Sequence, residues 1–190
     1  LISTDVSAAN LRAAANLTSA PGVRNTIDLA PACRLVISAD GANSLWLSGT
    51  IFNSGNLVKI GTATLTLSGT NTYTGKTTVN AGTLKLVSRK ALSPYTDLYL
   101  PAASGSLNLA FTGTNGVHAL YINGVQQPDG VYSSSTSQIV GTGYLRVGAT
   151  PAAPASLTAL GHDAMVYLLW SSSSGATGYN VKRALVNGGP

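Results

Sequence analysis

Short units with an aliphatic residue on either side of a polar, small or aromatic one recur along the chain. They are Leu45-Trp46-Leu47, Leu65-Thr66-Leu67, Leu84-Lys85-Leu86, Leu98-Tyr99-Leu100 and Leu107-Asn108-Leu109, with looser forms at Leu120-Tyr121-Ile122 and Leu145-Arg146-Val147. Alternation of period two turns one side of a strand inward and the other outward. Clusters of Gly, Asn, Ser and Thr separate the units and supply the turns. The steps from Leu45 to Leu65 and from Leu65 to Leu84 are about 20 residues, an interval that predicts stacked coils. No such coil buries its apolar side alone. The shorter steps from Leu84 to Leu98 and from Leu107 to Leu120 predict that the solenoid becomes irregular, or gives way to hairpins, towards residue 120.

The two ends read differently. In residues 1–34, Ala8, Leu11, Ala14 and Ala15 have helical spacing with Ser7 as a cap, whereas Val23 to Ile27 suits another coil, so the region is expected to be an opening coil or cap. Asn123-Gly124 between apolar residues predicts a hairpin, and Pro128-Asp129-Gly130 a further turn. A last strand is expected at Tyr144 to Val147, inside a solenoid spanning 35–148. Pro151 to Pro154 marks a stiff linker over 149–156, which leaves 157–190 as a separate segment.

Composition narrows the choice. Hydrophobic residues make up 44% of the 190, but aromatics reach only 6%, which favours a thin, repetitive aliphatic core. Charged residues are 9%, with 11 Lys and Arg against 6 Asp and no Glu. The resulting charge of +5 is scattered, with Arg89-Lys90 and Lys182-Arg183 the only basic pairs, so no stripe for nucleic acid is expected. Cys33 is the single cysteine and is expected to be a small buried hydrophobe. No apolar run reaches the roughly 18–20 residues of a membrane helix, and no membrane insertion by this segment is expected.

Residues Leu57 to Leu86, through Leu65-Thr66-Leu67-Ser68-Gly69-Thr70-Asn71-Thr72-Tyr73-Thr74-Gly75 and on through Val79-Asn80-Ala81-Gly82-Thr83-Leu84, resemble the autotransporter-associated β-strand repeat. The resemblance implies a parallel β-helix in a large secreted or cell-surface bacterial protein. Ala63 and Lys76 stand where that family usually has Gly; Ala63 fits only if its backbone needs no positive φ, and Lys76 is expected to point into solvent. Leu120 to Val147 resembles the stretch that closes such arrays, and residues 35–56 a degenerate preceding coil.

From Pro154 onward, Val166-Tyr167-Leu168-Leu169-Trp170 and Ser174 to Arg183 resemble the first strands of a fibronectin type III domain, with Val166, Leu168 and Trp170 turned into a sandwich core. The residues after Thr150 fall short of the roughly 100 that such a sandwich uses, so an incomplete domain and a fragment of a larger polypeptide are expected. The fold class is therefore all-β: a parallel β-helix or β-solenoid followed by an incomplete fibronectin type III-like β-sandwich.

Candidate chemistry is sparse. A glycosidase needs a carboxylate pair, yet Asp40, Asp129 and Asp163 sit singly in apparent turns. His118 and His162 lack metal-ligand spacing, and no Gly-x-Ser-x-Gly elbow accompanies the serines. Gly141-Thr142-Gly143 lacks the Lys-Ser/Thr ending of a phosphate loop. Tyr73, Tyr99, Tyr121 and Tyr132, if exposed, could stack on sugar rings, with packing along a strand the competing reading. No catalytic, cofactor-binding or metal-binding residue is assigned, no cofactor is expected, and ligand-binding residues stay unassigned. The leading expectation is a non-catalytic display stalk or adhesive module outside the cell, meeting a glycan or a surface protein. The alternative is an accessory region of a larger secreted carbohydrate-active enzyme. A catalytic β-helix of the pectin-lyase kind is disfavoured by the missing acidic cluster.

Overall fold

A computed structural model describes residues 2–3, 9–12, 22–101, 103–148, 157–162 and 165–170, with side chains for 22–101, 103–148, 157–161 and 166–170. Its contacts divide the chain into Leu1–Thr150 and Pro151–Pro190. Every regular element among the described residues is a strand.

The first unit is a β-solenoid with three faces. One face stacks Ala9–Arg12, Arg34–Ser38, Asn56–Ile60, Thr77–Val79, Asp97–Leu100 and Ala119–Ile122 in parallel. Its inward column runs Leu35, Leu57, Thr77, Leu98 and Leu120, four turns of the chain. A second face stacks Leu45–Leu47, Thr64–Leu67, Gly82–Leu86, Gly105–Leu109 and Ile139–Gly141. There the columns are Leu45, Leu65, Leu84, Leu107 and Ile139, beside Leu47, Leu67, Leu86 and Leu109. All these leucines are buried, each worth about 1.5–3 kcal/mol of hydrophobic stabilisation.

Two expectations are corrected by this register, the loss of regular stacking before residue 120 and the helical spacing of the opening region. The Leu-x-Leu units are spread over all three faces: Leu98-Tyr99-Leu100 pairs with Ala119–Ile122, Leu107-Asn108-Leu109 with Gly82–Leu86, and Leu145-Arg146-Val147 with Asn115 to Val117. The shortened steps are distances between faces of one coil, and the stacking stays regular through residue 120. In the opening region, Leu11 lies in a strand paired with Ile37, because a free parallel edge recruits it, and not in a helix. Ser7, Ala8, Ala14 and Ala15 lie outside the described residues.

The third face is built differently. Ile27–Leu29 pairs with Ile51–Asn53 at one end and Thr114–Val117 with Tyr144–Val147 at the other. Between them, residues 70–74 and 91–95 form no regular strands. Buried asparagines supply the missing rungs. Asn71 Oδ1 accepts the Ile51 N–H at 2.8 Å from 20 residues before, and Nδ2 donates to Ala91 O at 2.6 Å, 20 residues after. Asn115 repeats the device, accepting the Leu92 N–H at 3.0 Å and donating to Leu92 O at 3.1 Å. A buried amide is tolerated because its donors and acceptor meet backbone partners.

The coils end in an antiparallel finish. Asn123 and Gly124, with φ of 51° and 81°, turn the chain so that Val125–Gln126 runs back along Tyr121 and Ile122. Both positive angles are those of a type I′ hairpin. Gly130–Tyr132 likewise lies antiparallel to Tyr144–Val147. The second unit contains an antiparallel hairpin, Leu157–His162 with Met165–Trp170. Leu168 is half-buried, but Val166 and Trp170 are exposed, contrary to the core expected of them, because no second sheet covers them among the described residues. Residues 171–190 lie outside the described residues.

Corners are set by close backbone approach. A Cβ on Gly69 would collide with the carbonyl oxygen of Gly49, and one on Gly75 with that of Gly55. Ala63 has no positive φ, which removes the objection to Ala at that position. Gly69→Ala is therefore expected to lower unfolding stability by about 1–3 kcal/mol through overpacking alone. Gly41→Ala, in open space but at φ of +58°, should cost about 1 kcal/mol. Urea titrations of both variants check the difference.

Candidate functional site

Inside the coils, polar side chains are tied to backbone and to one another. Lys59 occupies an inward position between Ile37 and Val79 and is 1% exposed. Its Nζ reaches the corner of the coil and donates to Ile60 O (2.6 Å), Gly61 O (2.7 Å) and Ala81 O (3.2 Å). Burial pulls its pKa down to about 8, against the charge of Asp40, which acts the other way. Tyr73 is fully buried, its hydroxyl 2.6 Å from Thr77 Oγ1, which lies 3.2 Å from Thr96 Oγ1, and Thr96 in turn donates to Gly75 O. These groups are spent on joining one coil to the next.

On the outer side of the first face, Val36, Val58, Thr78, Tyr99 and Tyr121 lie in one register line. The Tyr99 and Tyr121 rings stack at 4.3 Å and 1°, and Lys76 Nζ stands 5.1 Å from the Tyr99 centroid. Gln126 pairs with Tyr121 and receives its hydroxyl hydrogen bond at 3.3 Å. Tyr99 is thus engaged by a ring and a cation, which leaves its faces closed to a sugar. Nearby, His118 Nδ1 lies 2.6 Å from Asp97 Oδ1. This pair joins adjacent coils, and no serine hydroxyl bonds to His118 among the described residues.

A concave site lies on the third face, where the strand ladder is interrupted. A cleft of about 350 Å³ opens there, lined by Thr70, Thr72, Arg89, Lys90, Pro94 and Tyr95 among others. Arg89 and Lys90 also line a neighbouring recess with Ser88 and Thr114. No carboxylate lines either recess, and neither cation has an ion-pair partner among the described residues. The Arg89 stem lies over Gly113, where a Cβ would meet its Cδ at 2.8 Å. Tyr95 is 43% exposed, with its N–H bonded to Ser93 Oγ at 3.3 Å.

The residues weighed from sequence fall as follows. Tyr73 is in the core, and Tyr132 is half-buried against it and donates to Pro128 O at 2.6 Å. Asp40 sits in a turn bonded to Ser38; Asp129 sits in an exposed turn against Gly148. Gly141 to Gly143 wraps a corner, with Thr142 and Gly143 N–H groups on Leu109 O. Cys33 is buried, and Lys76 is exposed. Asp163, Lys182 and Arg183, and the side chain of His162, lie outside the described residues. Among the described residues no three His, Cys, Asp or Glu side chains cluster, and no helix is long and apolar enough to cross a membrane. The sequence reading missed the cleft and the His118–Asp97 pair. Coil length is the signal that would have found the pair, since its members are 21 residues apart.

Residues 57–86 match the family model described as passenger-associated-transport-repeat. This is the stretch containing the buried Lys59, Asn71 and Tyr73. Among curated proteins, the adhesin BmaC autotransporter of Brucella suis biovar 1 (strain 1330) is 56% identical over 43 residues, 23% of this chain and 1% of that protein. The chain therefore matches a very small part of that relative's length. No solved structure matches the chain.

Lys59 gives a pH signature. The folded chain releases its proton at about pH 8 and the unfolded chain near 10.5. Between those values the unfolded chain holds more protons, so stability rises with pH, by at most about 3 kcal/mol. Below pH 8 the cost of burying the charge is carried in full. Above the ordinary tyrosine value of 10.0 Tyr73 opposes this rise, because burial pushes its hydroxyl up and the unfolded chain loses that proton first. Denaturant titrations from pH 7 to 10 should show the rise in the native chain and a flat profile in Lys59→Met.

Proposed function

We propose that this chain is a non-catalytic segment of a cell-surface adhesive passenger protein, whose coils space and display binding surfaces outside the cell. The observation that carries the reading is the passenger-associated repeat at 57–86, folded into parallel columns that join the preceding coil to the following one. The stretch shared with an autotransporter named as an adhesin supports the adhesive role. A stack of this kind has its backbone groups satisfied by the neighbouring coil and needs no thick core, which suits an extended protein. Its side chains also favour a structural role: the buried polar groups bond to backbone or to one another, and the outer Tyr99–Tyr121 pair stacks within the protein.

The segment 157–190 is read as the start of a fibronectin type III-like module carried beyond a linker at 149–156. The antiparallel hairpin Leu157–His162 with Met165–Trp170 supports this. The expected partner is an extracellular glycan or a surface protein.

Antibodies raised against the chain should label intact cells that express the parent gene, and protease applied to intact cells should remove the label. Labelling confined to permeabilised cells would overturn the surface placement. Beads coated with the chain should adhere saturably to a glycan- or protein-coated surface above albumin-coated beads. Adhesion no greater than that of albumin would overturn the adhesive role.

A further inference from the structure

We propose that the cleft on the third face binds an acidic saccharide, its carboxylate or sulfate groups held by Arg89 and Lys90 and a sugar ring set against Tyr95. The proposal rests on the surface-adhesive reading and names the ligand class of that surface. Three observations converge on it. The cleft is where the strand ladder is interrupted: the Asn71 and Asn115 amides join the coils there in place of regular strands. The surface thereby becomes concave at about 350 Å³, at the lower end of the range of about 300–1,000 Å³ for small-molecule sites.

The charge is also unspent. Lys59 is committed to carbonyl oxygens and Lys76 to the Tyr99 ring, whereas Arg24, Arg34, Lys85 and Arg146 line neither recess. Arg89 and Lys90 line two adjoining recesses without a carboxylate in either. A guanidinium offers paired donors to a carboxylate or sulfate, and an ammonium adds a point charge.

The remaining lining discriminates between anions. Tyr95 presents an aromatic surface beside Pro94, and Thr70 and Thr72 are exposed residues whose hydroxyls can exchange hydrogen bonds with ring hydroxyls. Cations beside an aromatic plane and paired hydroxyls suit a charged sugar better than an acidic peptide, whose carboxylates need only the cations. Loops 70–74 and 88–95 come from consecutive coils and are linked by the Asn71 N–H on Lys90 O at 2.9 Å. The site is therefore formed only when the stack is formed.

The test uses the full 190-residue chain in physiological salt, by calorimetry. The probes are an oligogalacturonate hexamer, a sulfated heparin-derived hexamer, maltohexaose and a short oligoglutamate. At least one acidic saccharide should bind, with the two arms deciding between carboxylate and sulfate, and maltohexaose should bind at least about tenfold more weakly. Arg89→Gln with Lys90→Gln should weaken acidic saccharide binding about tenfold or more, and Tyr95→Ala about threefold or more. Arg34→Gln with Lys85→Gln removes equal charge from the other faces and should leave binding unchanged. Unchanged circular dichroism and melting temperature show that the variants are folded.

Absence of binding by both acidic saccharides overturns the proposal. So does equal loss in the two double variants, which would indicate general attraction to a basic protein. Oligoglutamate binding as tight as the saccharide's and indifferent to Tyr95→Ala would assign the cleft to an acidic peptide instead. Intact-cell labelling without saccharide binding sinks the cleft alone. Saccharide binding with label only in permeabilised cells sinks the surface placement alone.

Discussion

Backbone pairing between consecutive coils is the constraint from which the rest of this structure follows. Once Leu57 is paired with Leu35 and Thr77 with Leu57, every inward side chain has a fixed neighbour one turn above and one below. Columns of leucine satisfy that demand by self-packing. Where a column holds a polar residue, its side chain finds a partner within the stack, as Lys59 does with Ala81 O, Asn71 with Ala91 O and Thr77 with the hydroxyls of Tyr73 and Thr96. The corners obey the same rule, because Gly69 and Gly49 approach too closely for any side chain. A low charge content and an abundance of small and hydroxylated residues are the compositional trace of this arrangement.

Strand positions were legible in the sequence because period two and turn chemistry are local. The hairpin at Asn123-Gly124 needed nothing beyond its own φ angles. The assignment of strands to faces was not legible. Leu98-Tyr99-Leu100 and Leu107-Asn108-Leu109 look alike because both feed one core, yet they lie on different sheets. Tyr73 shows the same limit for side chains. Tyr99, between Leu98 and Leu100, is turned outward by alternation alone, whereas Tyr73 stands between Thr72 and Thr74 and its burial is set by pairing across coils. Leu11 was drawn to an open sheet edge despite helical spacing, a tertiary effect that local propensity does not contain.

The cleft was illegible for a related reason. Arg89 and Lys90 stand out in the sequence as a basic pair, but their companions Thr70 and Thr72 come from the preceding coil. The asparagines that interrupt the ladder there resemble ordinary turn residues until their partners 20 residues away are known. In a stacked protein, binding surfaces of this kind arise where regular pairing lapses, and the stack supplies the rigidity that holds them.

The direction of the ladder also governs how the stack meets mechanical load. Its inter-coil hydrogen bonds run along the stacking axis, while the chain leaves each coil at one corner. Tension applied to a chain end therefore reaches the bonds of a terminal coil in succession, not all together, and peels one coil before loading the next. A detached coil leaves its neighbour's edge intact as a template for re-pairing. Such a segment would yield in steps under drag and lengthen without losing the remainder of its fold, a compliance useful to a tether between two surfaces.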